Sequence, residues 1–147
     1  MSDFSPDPYD ENNIFAKILR GEMPAVKVYE DDKTFVFMDI MPRGKGHCLV
    51  IPKHPCRNVL DAPIEVLTDV MTTVQTISRG LMKAFDANGI TTNQYNEAAG
   101  GQMVFHLHVH VIPRFNGVML GRHTGEMADV VELEAHAEKI KVALKQS

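Results

Sequence analysis

The stretch Val104-Phe105-His106-Leu107-His108-Val109-His110-Val111-Ile112-Pro113 decides how the rest of the chain is read. Histidine recurs at every second position, and apolar residues fill the places between. Successive side chains of a β-strand point to opposite faces, so residues two apart share one face. The alternation predicts a strand that presents His106, His108 and His110 together and buries Phe105, Leu107, Val109 and Val111 behind them. A single histidine in a strand is ordinarily a structural residue. Three in register differ, because imidazoles titrate near neutrality and crowding them costs stability unless each has a partner or a task. Two chemistries suit such a group. Neutral imidazoles hold a divalent metal, or one imidazole is a nucleophile whose neighbours orient it and manage protons.

Composition narrows the setting. A chain of 147 residues is one domain, long enough to bury a core without a disulfide or metal staple. Apolar residues make up 44% and charged residues 23%, as in ordinary globular proteins, and no apolar run approaches the roughly 18 residues of a membrane span. The acidic opening Met1-Ser-Asp-Phe-Ser-Pro-Asp-Pro8 is unlike a secretory signal, so the expected address is the cytoplasm, away from any membrane. A net charge of −4 argues against a long nucleic acid as partner. It still permits a small nucleotide, whose charge imidazoles and backbone N–H groups can meet locally. Cys48 and Cys56 lack the spacing of a zinc or redox pair and read as reduced thiols, Cys48 inside a strand.

Residues 1–11 show no periodicity and read as a flexible or loosely docked arm, followed by a single domain over 12–147. Asn13 can cap a short helix that carries Ile14, Phe15, Ile18 and Leu19 and closes at Gly21. Val26–Glu30 and Thr34–Met38 form a hairpin about Asp31-Asp32-Lys33. A loop from Met41 to Gly46 leads into an apolar strand, His47–Pro52. The longest helix signal runs from Asp61, as N-cap, to Asn88, with Ile64, Leu67, Val70, Met71, Val74, Ile77, Leu81 and Phe85 at helical spacing. Ile90–Asn96 is the next strand, and Gly100-Gly101 lies in the loop before the triad. A last helix is expected from Met127 or Ala128 to Lys145. The class is α+β: a mostly antiparallel sheet of about five strands, with the long helix packed on it and a C-terminal helix. His54, Arg114, Arg122, His123 and His136 read as loop or surface residues.

His106-Leu-His-Val-His-Val-Ile112 resembles the histidine triad motif, in which three histidines alternate with apolar residues. The likeness extends from about Asn13 to Arg114 and takes in Asn13-Ile-Phe-Ala-Lys-Ile-Leu-Arg-Gly-Glu-Met-Pro24, Asp39-Ile-Met-Pro42, Gly46-His-Cys-Leu-Val-Ile-Pro-Lys-His54 and Asn96-Glu-Ala-Ala-Gly-Gly-Gln102. The resemblance is to the histidine triad (HIT) family, and within it to the histidine triad nucleotide-binding branch of bacterial type. It implies a HIT-like fold and hydrolysis of purine nucleoside phosphoramidates to AMP and an amine, through a nucleotide bound covalently to the middle histidine, His108. His110 and His47 would hold phosphate oxygen or pass a proton, and His106 would orient the site. Asp39 would accept from the ribose hydroxyls, and Asn96 and Gln102 would contact phosphate. Phe15, Ile40 and Leu49 would complete the nucleotide site.

Many relatives carry a hydroxyl residue where Met103 stands. Some carry zinc-binding cysteines where Asn13 and Ala16 stand, so no structural zinc is expected there, and the scheme needs neither metal nor cofactor. Relatives of this branch are homodimers, which implies a second copy of this chain as partner. Three other functions stay open: a dinucleoside polyphosphate hydrolase, as a sister branch of the family implies, a nucleotide-binding regulator with little turnover, and a hydrolase whose zinc is held by His47 and two triad histidines.

Overall fold

The computed structural model describes residues 7–122 and 126–146. Its elements in chain order are α1 (Ile14–Leu19), β1 (Lys27–Glu30), β2 (Thr34–Met38), β3 (Cys48–Pro52), α2 (Ile64–Ala84), β4 (Gly89–Asn93), β5 (Val109–Arg114) and α3 (Val130–Lys145). The five strands form one antiparallel sheet in the order β1-β2-β3-β5-β4. The expected α+β class and strand number therefore hold.

Strand alternation divides the sheet into two faces of different character. Val36, Met38, Cys48, Val50, Val109 and Val111 point to one side, where Val70, Val74, Ile77 and Leu81 of α2 and Leu133, Ala137 and Ile140 of α3 close a continuous core over them. Burying that apolar surface is the main stabilising contribution, at about 25 cal/mol per Å² removed from water. The opposite face carries a smaller cluster, Phe37, Leu49 and Ile51, covered by Phe15 of α1. Asn13 caps α1 as expected, its side chain accepting from the Ala16 N–H at 2.9 Å.

The long helix is shorter than its periodicity implies. Asp61 is not its N-cap: both carboxylate oxygens are taken by the N–H groups of Arg57 and Asn58, and the first helical residue follows Pro63. At the other end Asp86 adopts φ 49°, which turns the chain out of the helix before Asn88. Ile64, Met71 and Met82, three apolar residues along one line of α2, stay exposed. Helical periodicity reports apolar character and does not say which apolar residues the sheet covers. The last helix starts at Val130, with Asp129 as its cap. Among the described residues no helix is long and apolar enough to cross a membrane.

Candidate active site

Register places most of the site. Phe37 lies opposite Leu49, Leu49 opposite His110, and His110 opposite Asn93, so these residues form a row across one face of the sheet. Asp39 follows two residues after Phe37 and His47 comes two residues before Leu49, which puts both on that same face. The Asp39 N–H donates to the His47 carbonyl at 3.0 Å, holding the two together just past the strand ends. Gly46, immediately before His47, has φ 82°, and a Cβ there would come within 2.7 Å of the Phe85 ring. Only glycine fits that turn, which delivers His47 to the sheet.

The triad segment departs from the expected strand over Val104–Pro113. Only its second half is in the sheet, because β5 begins at Val109. Before that point the partners differ: the Leu107 N–H donates to the Cys56 carbonyl in the loop after β3 at 2.9 Å, and His106 Nε2 lies 2.8 Å from the carbonyl of Pro52, the last residue of β3. The alternation itself persists, since Leu107, Val109 and Val111 enter the α2 side of the core. Phe105 instead lies under the Arg57 guanidinium, 4.1 Å from its ring centroid.

Hydrogen bonds to main-chain groups assign the protons on the imidazoles. A carbonyl only accepts, so His108 Nδ1, 2.7 Å from the His106 carbonyl, carries a proton, and Nε2 of the neutral ring keeps its lone pair. A backbone N–H only donates, so His47 Nδ1, 3.0 Å from the Arg43 nitrogen, is an acceptor. The neutral His47 ring is therefore protonated at Nε2, which lies 2.9 Å from His110 Nδ1. The His110 proton then resides on Nε2. His108 and His110 have ring centroids 5.1 Å apart, and the edge of Phe15 meets the His108 ring at 4.9 Å.

His106 is fully buried and differs from the other two. Burial lowers its pKa to about 4, against the opposing effect of the hydrogen bond to Pro52. An unfolded histidine titrates near 6.5, so below that pH the unfolded chain takes up a proton that the folded chain refuses. Stability should therefore fall as pH drops from about 6.5 to about 4, by about 2 kcal/mol from this ring between pH 7 and pH 5. Denaturant unfolding at the two pH values measures the loss, and a His106→Gln variant should show a smaller one.

The remaining expected residues separate into groups. Asp39 Oδ2 lies 3.4 Å from His47 Nε2 and 3.8 Å from His110 Nδ1, while Oδ1 accepts from the Met41 N–H. Leu49 is buried beside Phe15, and Ile40 is exposed next to Asp39. Asn96 accepts from the Val59 N–H and exchanges amide hydrogen bonds with Gln94. Gln102 is buried and committed to the protein: its oxygen accepts from Asn58 Nδ2 and the Glu97 N–H, and its nitrogen donates to the Arg57 and Val104 carbonyls. Those bonds use its amide donors and acceptor sites in full, so Gln102 shapes the loop where a phosphate contact is expected from the resemblance. Met103 beside it is 78% exposed.

Arg114 donates to Thr91, Arg122 and His54 are exposed, and His136 packs edge-on against Phe85. His123 lies outside the described residues. Cys48 and Cys56 are free and buried, and burial raises the Cys56 thiol to about 12, so neither is poised as a nucleophile.

Sequence reasoning missed several contributors. Arg57 binds Glu97 through two hydrogen bonds of 2.8 and 3.0 Å, and Asn58 adds one of 2.6 Å. This group ties the loop after β3 to the loop after β4 and holds Glu97 at φ 68°, an uncommon backbone conformation for a residue with a side chain. Tyr95, whose ring centroid is 5.8 Å from that of His110, could have been found by counting two residues on from Asn93. Tyr9 had no periodic signal at all, yet its hydroxyl lies 2.6 Å from His106 Nδ1.

Among the described residues, ligand atoms of Asp39, His47 and His110 lie within 4.8 Å of one another and could hold a divalent ion. A carboxylate takes the place of the third imidazole in that set. His106 and His108 each direct a ring N–H to a main-chain carbonyl.

A family model for the HIT domain matches residues 20–117. In structure, a Hit-like protein of Bartonella henselae superposes with a TM-score of 0.87 at 51% identity, over 92% of this chain and 99% of that one. An adenosine 5'-monophosphoramidase of Saccharomyces cerevisiae, HNT1, is 36% identical over 110 residues, covering 75% of this chain and 67% of the yeast protein. An adenylylsulfatase of Arabidopsis thaliana, HINT3, is 39% identical over 101 residues, 69% of this chain, which spans about half (51%) of the plant protein. The triad, the sheet that carries it and these matches all lead to one assignment: the chain belongs to the histidine triad family.

Proposed function

We propose that the protein hydrolyses purine nucleoside 5'-phosphoramidates through a covalent nucleotidyl-His108 intermediate, releasing AMP and an amine. The observation that carries this reading is the 2.7 Å hydrogen bond from His108 Nδ1–H to the His106 carbonyl. It leaves Nε2 as a lone pair on a ring held in one orientation, which is what attack on phosphorus requires. Nε2 forms a bond to the α-phosphorus as the P–N bond to the amine breaks. The His110 Nε2 proton passes to the departing nitrogen, and His47 supports His110 from behind through its own Nε2–H. Water then cleaves the phosphorus–histidine bond, its hydroxyl going to phosphorus and its proton back to His110 Nε2, which returns both histidines and releases AMP.

Asp39 sits beside this pair and offers a carboxylate to the ribose hydroxyls, with Ile40, Leu49 and Phe15 as the apolar surroundings of the nucleoside. The enzymatic relatives support the reading at the level of the transferred group. One is named for an adenosine 5'-monophosphoramide and the other for an adenylyl sulfate, two donors that share an adenylyl group and differ in what leaves.

Intact-protein mass spectrometry after brief mixing with an adenosine phosphoramidate bearing a fluorescent amine tests the proposal. The expected result is a transient AMP-sized adduct together with amine release, both undiminished by a chelator. Release that stops on chelation and returns with zinc would replace the covalent scheme by metal-assisted hydrolysis at Asp39, His47 and His110. Binding of AMP with neither adduct nor release would leave a nucleotide-binding regulator.

A further inference from the structure

The described part of the chain ahead of α1 reaches the triad through one side chain. Tyr9 is partly buried, its ring meets His106 edge-on with centroids 5.7 Å apart, and its hydroxyl lies 2.6 Å from His106 Nδ1. The other His106 nitrogen faces the Pro52 carbonyl at 2.8 Å and so carries the ring proton. Nδ1 is consequently an acceptor and the tyrosine O–H is the donor. His106 is held from both sides, by a strand end and by the N-terminal segment. Its own carbonyl is the group that receives the His108 Nδ1 proton. We propose that Tyr9 is a positioning residue for the nucleophile: by fixing the His106 ring it fixes the main-chain carbonyl that sets the tautomer and aim of His108.

The surroundings agree with this role. Burial holds the His106 ring neutral, so it needs a donor at Nδ1 and cannot supply a second one. Tyr9 is itself raised above its ordinary value, chiefly by burial, and stays a protonated donor through the neutral range. Without the hydroxyl, a buried ring nitrogen loses its partner, and the ring is free to turn about the remaining bond to Pro52. The segment leading into α1 is held by its own hydrogen bonds. The Asn13 N–H and side-chain amide both bond to the Asp10 carbonyl, so the chain turns just after Tyr9.

The proposal rests on His108 being the nucleophile, and its test reads the two apart. The Tyr9→Phe variant keeps the ring packing and removes only the hydroxyl. Nitrogen-15 spectra of the imidazoles should show His106 protonated at Nε2 and His108 at Nδ1 in the wild-type protein. In Tyr9→Phe the His106 Nδ1 signal should move to that of an unbonded acceptor, and His108 should become a mixture of tautomers. Adduct formation should slow on the order of tenfold, with KM changed less than twofold, because Tyr9 orients the attacking ring and touches no substrate. A wild-type rate, or an unaltered His108 tautomer at any rate, overturns the proposal. If the wild-type protein forms no adduct, the phosphoramidate reading fails, while the spectra still decide whether Tyr9 governs the His108 tautomer.

Discussion

Replacing His108 by glycine should eliminate the nucleotidyl adduct and cut amine release by at least about a thousandfold. No other described group is set to take over. His106 has both ring nitrogens engaged, by Tyr9 and Pro52, and the His110 nitrogen facing His47 accepts that ring's proton. The substitution leaves a space beside the Phe15 ring, which now meets the imidazole at 4.9 Å. Free imidazole added to His108→Gly should occupy that space and restore part of the turnover, releasing N-adenylyl-imidazole that hydrolyses in solution. Rescue by imidazole identifies the lost function as nucleophilic. Turnover equal to wild type in His108→Gly would show that water attacks phosphorus directly.

The second large effect belongs to His110. Its Nδ1 receives the His47 proton, so the proton it can give away sits on Nε2. Breaking a P–N bond expels a strongly basic nitrogen unless that nitrogen is protonated as it departs, and general acid catalysis of this kind is worth roughly 10²–10⁴-fold. His110→Ala should lose about that much with an alkylamine leaving group. It should lose far less with an adenylyl donor whose leaving group is already a weak base, such as a fluoride or a sulfate. The measurement is kcat/KM for the wild type and His110→Ala across a series of leaving groups of graded basicity. A loss that is the same for all of them would remove His110 from the proton transfer and make it a binder of phosphate oxygen only.

Much of this site was legible because β-structure has a period of two. Counting put the three histidines of the triad on one face, the resemblance added His47, Asp39 and Leu49, and the antiparallel register of β2, β3 and β5 brings His110, Leu49, His47 and Asp39 side by side. What counting could not give is where a strand stops. His106 has the alternation of a strand residue but lies outside β5: the Leu107 N–H beside it bonds to the Cys56 carbonyl in the loop after β3 and not to a neighbouring strand, while the His106 ring bonds to the Pro52 carbonyl at the end of β3. Gln102 shows a different limit. A resemblance can carry a residue type to a position, but the four hydrogen bonds that occupy it here come from Asn58, Glu97, Arg57 and Val104, and three of those lie outside its own sequence neighbourhood or on a strained turn. Asp61 reads as a helix cap and serves the preceding loop, since a carboxylate satisfies whichever N–H groups the fold leaves open nearest to it. Tyr9 was invisible for a plainer reason. Its neighbours are acidic residues and prolines, whose composition argues for an unattached arm, and a single contact across 97 positions leaves no local trace.

The two tautomers on which the chemistry depends are dictated by peptide groups, the His106 carbonyl for one ring and the Arg43 N–H for the other. Peptide groups do not titrate in water's working range; no side-chain exchange removes the His106 carbonyl, and only proline at position 43 would remove the N–H that His47 accepts from. The direction in which protons run through this site is thus written into the course of the main chain. In the proposed scheme, residues that grip the base, the ribose or the leaving group can change around it while the sense of the transfer stays the same.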